Sequence, residues 1–543
     1  MGHAAGWHCE KEKDLRHEQA QLVNSMDSSD PQKRPNTLRL TRRDHGILFG
    51  VLTLLVLRLW VLPLGGSLWL DETVTYWVAS KGVAAALTRS QFFPGQAALY
   101  NTIAALAIRF GGSSEICLRF PSLIATGLTA WLLFQLAKTW LDGEAGMIVV
   151  IVFASIHDVA IHAVSARPYG FALLSVVGAA LALVRWLESG RLRSMLLFAV
   201  AGAAIIYFHY LFGAVYLVFL FYCVYARWSN ETSVSWRMLL TAWVLIAALI
   251  SPLLWNAVYT KRVSSAASFA PTPSLLQLFS SLLPALLGAG LMVGILIAVL
   301  VYRECWTNPE MPARSVWLLL MAWAFLPPIV LYLVARLTPF KTFVPRYFLE
   351  AVPALSLLVG WLVQTLQPRQ ARMIIAGVIA AISLLSVPGG LWHPMAALSQ
   401  EDWRAAAASL QNEGISESTP VLVRTGLIET TKIRWNLNID RESPLLCPLY
   451  KYPVPGKIIL LPYELTPEAE DYFQSAYSEV LQNVDSFVLI TRNYGGVSVI
   501  SWFRGWLASK GFQASELGNN DGVSVLLFRR TPANTPSRAV LQP

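Results

Sequence analysis

The chain has 543 residues, of which 55% are hydrophobic and only 14% charged, with a net charge of +9 and a mean hydropathy of +0.50. This composition excludes an ordinary soluble globular protein and fits a large membrane bundle carrying a separate water-soluble domain. The cations cluster at the ends of apolar segments, so membrane topology accounts for the positive charge and no nucleic-acid partner is expected.

The sequence contains no phosphate-cradling glycine loop, dinucleotide fingerprint, His-Glu-x-x-His or Cys-x-x-Cys. Cys9, Cys117, Cys223, Cys305 and Cys447 are widely spread, which argues against a disulfide framework or a zinc site. Residues 1–45 are polar and mixed in charge, and read as a disordered cytoplasmic tail. Its His3, His8, Cys9 and His17 read as solvated groups, with metal binding as the alternative. The first apolar stretch, about 46–64, lacks a small-residue cleavage site and is expected to remain as a signal anchor.

Further stretches of spanning character occur at about 118–138, 145–164, 169–187, 194–206, 209–227, 238–258, 281–302, 315–335, 346–366 and 372–391. The shorter segment 97–110 ends in Arg109 and reads as a helix at the interface; a crossing helix is its alternative. Basic loops at Arg42–Arg43, Arg185–Arg193, Arg227–Arg237, Arg303–Arg314 and Arg369–Arg372 share one side only with about 11 spans. The N-terminus is then cytoplasmic, while the first loop, 65–117, and everything beyond 392 lie outside. The predicted transmembrane unit is 46–391.

From 392 to 530 the composition turns water-soluble, and strands alternate with helices. A helix is predicted over Glu401–Leu410, a strand over Pro420–Arg424, and a strand over Lys457–Leu461 followed by a helix from Pro467 to about Leu481. A strand over Ser486–Thr491, a helix near 499–510 and a strand near 523–529 complete an external α/β domain. Residues 531–543 read as a disordered tail.

The acidic pair Asp71-Glu72, where the first span meets water, is the leading functional candidate, because ionisable groups are costly there unless used. The pair also suits a helix N-cap at Asp71, or balance against Arg89 and Arg119. Adjacent residues on a helix point about 100° apart, so one carboxylate is expected to face a cavity while the other orients it or holds a metal. Arg167, Lys261-Arg262, Lys341 and Arg346 lie outside against the positive-inside preference, and suit an anionic phosphate or general lipid headgroups. His209-Tyr210 marks the outer end of a span, as structural residue or ligand. Asp158 and His162, spaced i and i+4, are expected to pair on one helix face, structurally or at an acceptor cavity. Trp69, Tyr76, Trp77 and Trp392 read as interfacial anchors, with sugar stacking as the alternative.

Taken together, these motifs resemble a known family. Trp69-Leu70-Asp71-Glu72 resembles the acidic motif in the first external loop of GT-C fold glycosyltransferases, in particular the protein O-mannosyltransferase and aminoarabinose-transferase-like enzymes of the family 39-like group. Leu118-Arg119-Phe120-Pro121-Ser122, Ala166-Arg167-Pro168-Tyr169-Gly170, His209-Tyr210, Pro345-Arg346-Tyr347 with Pro353, and Asp402-Trp403-Arg404 follow in the family's order. One departure is Gln96-Ala97-Ala98 before Leu99-Tyr100, with Pro94 upstream, where the family has His-Pro-Pro.

The resemblance implies a bacterial inner or plasma-membrane enzyme with a polyprenyl-phosphate-linked sugar as donor. Asp71, with Glu72, would be catalytic, Asp71 as general base for an inverting attack. Arg346, Arg167, Tyr347 and Lys341 would hold the lipid phosphate. Tyr169, His209, Tyr210, Arg119, Asp158 and Tyr100 would line the substrate cavity. The acceptor is left open among proteins, lipids and glycans. No cofactor is expected; a divalent cation would need more oxygen ligands than the pair supplies. The alternatives are a lipid or glycan flippase, and a membrane scaffold whose external domain binds a partner. A flippase would more often show broken midplane helices and paired repeats.

Overall fold

The computed structural model describes residues 42–93, 97–253, 270–302, 306, 313–341, 343–387, 401–433, 439–464, 467–493 and 497–531. Lys261, Arg262, Arg303, Trp392, Pro94, Gln96, Cys9, Cys305 and both predicted tails, but for the few residues at their inner ends, lie outside them. The chain falls into two units, Met1–Ile47 and Leu48–Pro543. Of the first, only the start of the helix Arg42–Leu55 is described; the second holds the fold discussed below.

A helix lies on every apolar stretch predicted to span. Among the described residues, six are long and apolar enough to cross a membrane: His45–Gly65, Glu115–Ala137, Tyr169–Ser189, Tyr210–Trp228, Arg314–Leu337 and Pro345–Gln364. Leu275–Leu282 and Ala285–Val301 form a pair bent by 55°, and Gly143–Ser155, Leu192–Phe208 and Trp236–Ile250 are shorter. Arg369–Leu385 is the final helix of the bundle. Local chemistry sets several ends. Ser114, Asp142 and Ser235 accept the backbone N–H groups of Cys117, Ala145 and Met238, and Gly190, at φ +65°, ends Tyr169–Ser189 in the left-handed conformation.

The predicted span 145–164 is not continuous. Its helix stops at Ser155, Ile156 is extended, and Val159–Ala163 forms a separate π-turn. A π-turn bonds i to i+5 and so rotates its side chains away from α-helical positions. The predicted pairing of Asp158 with His162 is lost for this reason: Asp158 faces a cavity with His157, and His162 swings to the other side. Elsewhere close packing relies on small residues. Gly290 and Gly294, four apart, admit Ile379 and Ile375 so closely that a Cβ on either glycine would lie within 3.1 Å of the neighbouring helix.

Beyond residue 401 the predicted strands and helices are present within a few residues. The sheet order is β2-β1-β3-β5-β4: β1 (Pro420–Arg424), β2 (Lys457–Leu460) and β3 (Ser486–Arg492) run parallel, and β5 (Val523–Arg530) is antiparallel to β3 and β4 (Phe512–Asn520). Alternate residues sort to two faces. Val421, Val423, Val488 and Ile490 join the core shared with the helical bundle, while Leu422, Leu489 and Phe487 form a second core beneath the helices Pro467–Glu479 and Val497–Ala508. Strand β4 was not predicted: after the buried Phe512, Gln-Ala-Ser-Glu is the solvated sequence of an edge strand, and only the Asp521-Gly522 turn beside it signals a hairpin.

Candidate active site

Asp71 stands in the first turn of the helix Leu70–Ala79, which Trp69 and not Asp71 caps. One residue of helical rotation separates the two carboxylates completely. Asp71 keeps 24% of its side chain exposed, and Glu72 has none. Glu72 receives Arg119 at both oxygens, Nε at 2.8 Å and Nη2 at 2.5 Å, with the Ala166 N–H at 2.7 Å and the Trp69 N–H at 3.3 Å. Arg119 also donates to the carbonyls of Leu64, Gly66 and Ser67. The predicted catalytic Glu72 and cavity-lining Arg119 therefore form a sealed strut tying the first loop to the Arg167 loop.

Breaking such a buried pair leaves one charge stranded, at a cost of about 3–5 kcal/mol. Arg119→Met is expected to lower the melting temperature of the purified protein markedly and to disable the site with it. An unchanged melting temperature would contradict the strut.

On the exposed side, two guanidinium groups from distant segments converge on Asp71. Arg346 Nη1 lies 3.5 Å from Asp71 Oδ2, and Arg167 Nη2 lies 4.0 Å from the same oxygen. Arg167 Nη1 donates to the Asp71 carbonyl at 3.2 Å and reaches Thr75 Oγ1 at 3.5 Å. Aromatic rings enclose the group. The Arg346 guanidinium sits 5.7 Å from the Trp69 ring centre and 5.4 Å from that of Tyr347. His162 contacts Trp69 and Tyr169, and His209 lies 5.0 Å from Tyr169 and 5.3 Å from Tyr347. Trp69 and His162 thus belong to the cluster, one beyond the anchor role and the other beyond the pairing expected from sequence.

Burial would raise the Asp71 pKa, but the fields of Arg346, Arg167 and Arg492, with His162, outweigh it and hold the carboxyl below its ordinary value of 3.8. The site therefore presents an ionised carboxylate beside two cations. A backbone contact secures this placement: a Cβ on Gly170 would meet the Ala163 carbonyl at 2.6 Å and Thr126 Oγ1 at 2.8 Å. Only glycine lets the helix after Arg167 pack so closely there.

Other predicted site residues fall elsewhere. Tyr100 is buried and bonds Ser122, whose hydroxyl donates to the Arg167 carbonyl, so it backs the Arg167 loop. Lys341 donates from Nζ to the Ala335 carbonyl, near the end of the helix Arg314–Leu337. Tyr210 begins the adjacent 3-10 turn and, among the described residues, makes no hydrogen bond or ring contact with the cluster. Asp158 lines a separate cavity of about 390 Å³ with Pro345, Phe343, Phe348, Leu349 and Val352. That cavity shares the 3-10 helix Pro345–Ala351 with Arg346. For a divalent cation, Asp71 and Glu72 diverge, and among the described residues no three of His, Cys, Asp and Glu gather to hold one.

This helical bundle, with an acidic first loop and a C-terminal α/β domain, has the GT-C fold. It matches the structure of ArnT from Cupriavidus metallidurans bound to undecaprenyl phosphate, at 10% identity over 89% of this chain and 98% of that one, with a TM-score of 0.52. The apo form of ArnT matches at 11% identity over the same shares, with a TM-score of 0.54. Residues 96–255 match the family model for dolichyl-phosphate-mannose-protein mannosyltransferase. That segment includes Arg119, Arg167, Tyr169 and His209, and leaves out Asp71 and Arg346. No curated protein sequence matches the chain.

Proposed function

We propose that the protein is a membrane glycosyltransferase that moves a sugar from a polyprenyl-phosphate donor to an acceptor at the outer face of the membrane. The observation that carries this reading is the convergence of Arg346 and Arg167 on one oxygen, Oδ2, of the partly exposed Asp71 carboxylate. A carboxylate accepts a proton, and paired guanidinium groups hold a phosphate. Few chemistries need both side by side.

Asp71 Oδ2 takes the proton of an acceptor hydroxyl or amine as its oxygen or nitrogen attacks the anomeric carbon. The bond from that carbon to the phosphate oxygen breaks, and its electron pair leaves with the polyprenyl phosphate. Arg346 and Arg167 stabilise the charge that develops on the departing phosphate. Attack and departure on opposite faces of the sugar invert the anomeric centre. The cavity beside Arg346 carries Asp158 and His157 but is walled mainly by apolar side chains, which suits the first units of the lipid chain, and Pro345 belongs to both its wall and the turn that carries Arg346. Support for the lipid class comes also from ArnT, whose structure holds undecaprenyl phosphate.

Two observations test the reading. Mass spectrometry of membranes from cells with and without the protein should reveal one glycoconjugate that lacks a single sugar in its absence; identical profiles would remove the activity. The pH profile supplies the other. A lowered carboxyl pKa means that Asp71 stays ionised above the ordinary value and gains its proton only as pH falls through the lowered one. The acid limb of kcat/KM, which reports the free enzyme, is therefore expected below pH 3.8. A limb centred near neutrality would contradict the assignment.

A further inference from the structure

The backbone that carries Asp71 is held by side chains from remote parts of the chain. Three successive N–H groups precede the acidic residue, and each has a side-chain acceptor. Leu68 donates to Tyr452 Oη at 2.9 Å, Trp69 to Glu72 Oε2 at 3.3 Å, and Leu70 to Glu401 Oε2 at 2.9 Å. Leu70 opens the helix, so its N–H has no acceptor within that helix. Two of these three acceptors belong to the external domain.

Glu401 is itself firmly placed. It is 4% exposed, takes Trp403 Nε1 on Oε2 at 3.0 Å, and is gripped on Oε1 by Arg492 Nε at 2.6 Å. Arg492 ends β3, so the carboxyl edge of the parallel strands faces the acidic loop. The Arg404 N–H adds a bond to Ser67 Oγ at 3.3 Å.

We infer that Glu401 is a positioning residue for Asp71: by accepting the Leu70 N–H it fixes the helix turn that aims the catalytic carboxylate, making the external domain part of the active site. This rests on the transferase reading for its functional half. The geometric half stands without it. A shift of even about 1 Å in a reacting group can cost two orders of magnitude in rate, and the N–H held by Glu401 belongs to Leu70, the residue immediately before Asp71. Arg492 contributes a second effect, since its charge is among those felt by the Asp71 carboxylate.

The test compares Glu401→Ala with Glu401→Gln in the full-length protein. The glutamine keeps an acceptor oxygen for Leu70 and gives up the ion pair with Arg492. In the alanine variant, hydrogen exchange across residues 68–75 should quicken by about tenfold or more, and glycoconjugate formed in cells should fall by a similar factor. The glutamine variant should retain slow exchange and at least about a third of the product. Binding of undecaprenyl phosphate should stay within about twofold in both, because the arginines are untouched.

Exchange that remains slow in Glu401→Ala would overturn the inference, as would equal product loss in both variants with exchange unchanged. Where the alanine variant does not fold, Glu401→Asp keeps the charge and withdraws the oxygen by one methylene. It should quicken exchange over the same residues, and slow exchange there would overturn the inference. If the unmodified protein forms no glycoconjugate, the transferase reading fails, while the exchange measurement still decides the role of Glu401.

Discussion

Asp71→Asn should lower sugar transfer by about 10²–10⁴-fold, the usual contribution of a positioned general base. The amide is nearly isosteric, so the helix Leu70–Ala79 keeps its cap and the sealed Glu72–Arg119 pair behind it. It cannot accept a proton at neutral pH. It also no longer offers a charge to Arg346 and Arg167, which should leave donor binding intact or tighter. Loss of transfer with donor binding preserved is therefore the expected pattern. Transfer that survives the substitution would remove Asp71 from the role of base.

Arg346→Ala should act on the other half of the reaction. A hydrogen bond to a charged group contributes about 1.5–3 kcal/mol, or roughly tenfold to a hundredfold in affinity. A guanidinium seated between Trp69 and Tyr347 is held where its planar fork can address a phosphate. Affinity for undecaprenyl phosphate should fall by about that factor in the variant. Arg346→Lys should recover only part of it, because a single ammonium lacks the bidentate geometry. Unaltered affinity in the alanine variant would show that the phosphate binds elsewhere.

Much of this arrangement was legible in the sequence, for a physical reason. Charges beside apolar segments are costly, so Asp71, Arg167 and Arg346 stand out in the sequence, as do Lys341 and Asp158, which the fold places elsewhere. Strands and helices of the C-terminal domain announced themselves by periodicity, and β4 escaped because, past the buried Phe512, the start of this edge strand is solvated on both faces. The orientation of adjacent carboxylates was harder. Helical rotation required Asp71 and Glu72 to diverge, but which one faced inward depended on Arg119, some fifty positions away in the chain and anchored by loop carbonyls. His162 was misassigned because an i, i+4 spacing implies an α-helix, and the π-turn at Val159–Ala163 rotates it onto Trp69.

Glu401 and Arg492 carried no signal of their own, since each is an ordinary charge in a soluble segment. Their importance arises only when the sheet edge meets the first loop, a contact between residues 331 apart at Leu70 and Glu401. The one hint was position. Glu401 directly precedes the Asp402-Trp403-Arg404 turn that the resemblance singled out.

The most direct measurement is a structure of the protein in lipid nanodiscs with undecaprenyl phosphate added. The phosphate should lie within hydrogen-bonding reach of Arg346 and Arg167, displacing Arg346 from Asp71 and leaving that carboxylate open toward the acceptor side. A phosphate bound away from both arginines, with the Arg346–Asp71 contact undisturbed, would contradict the account.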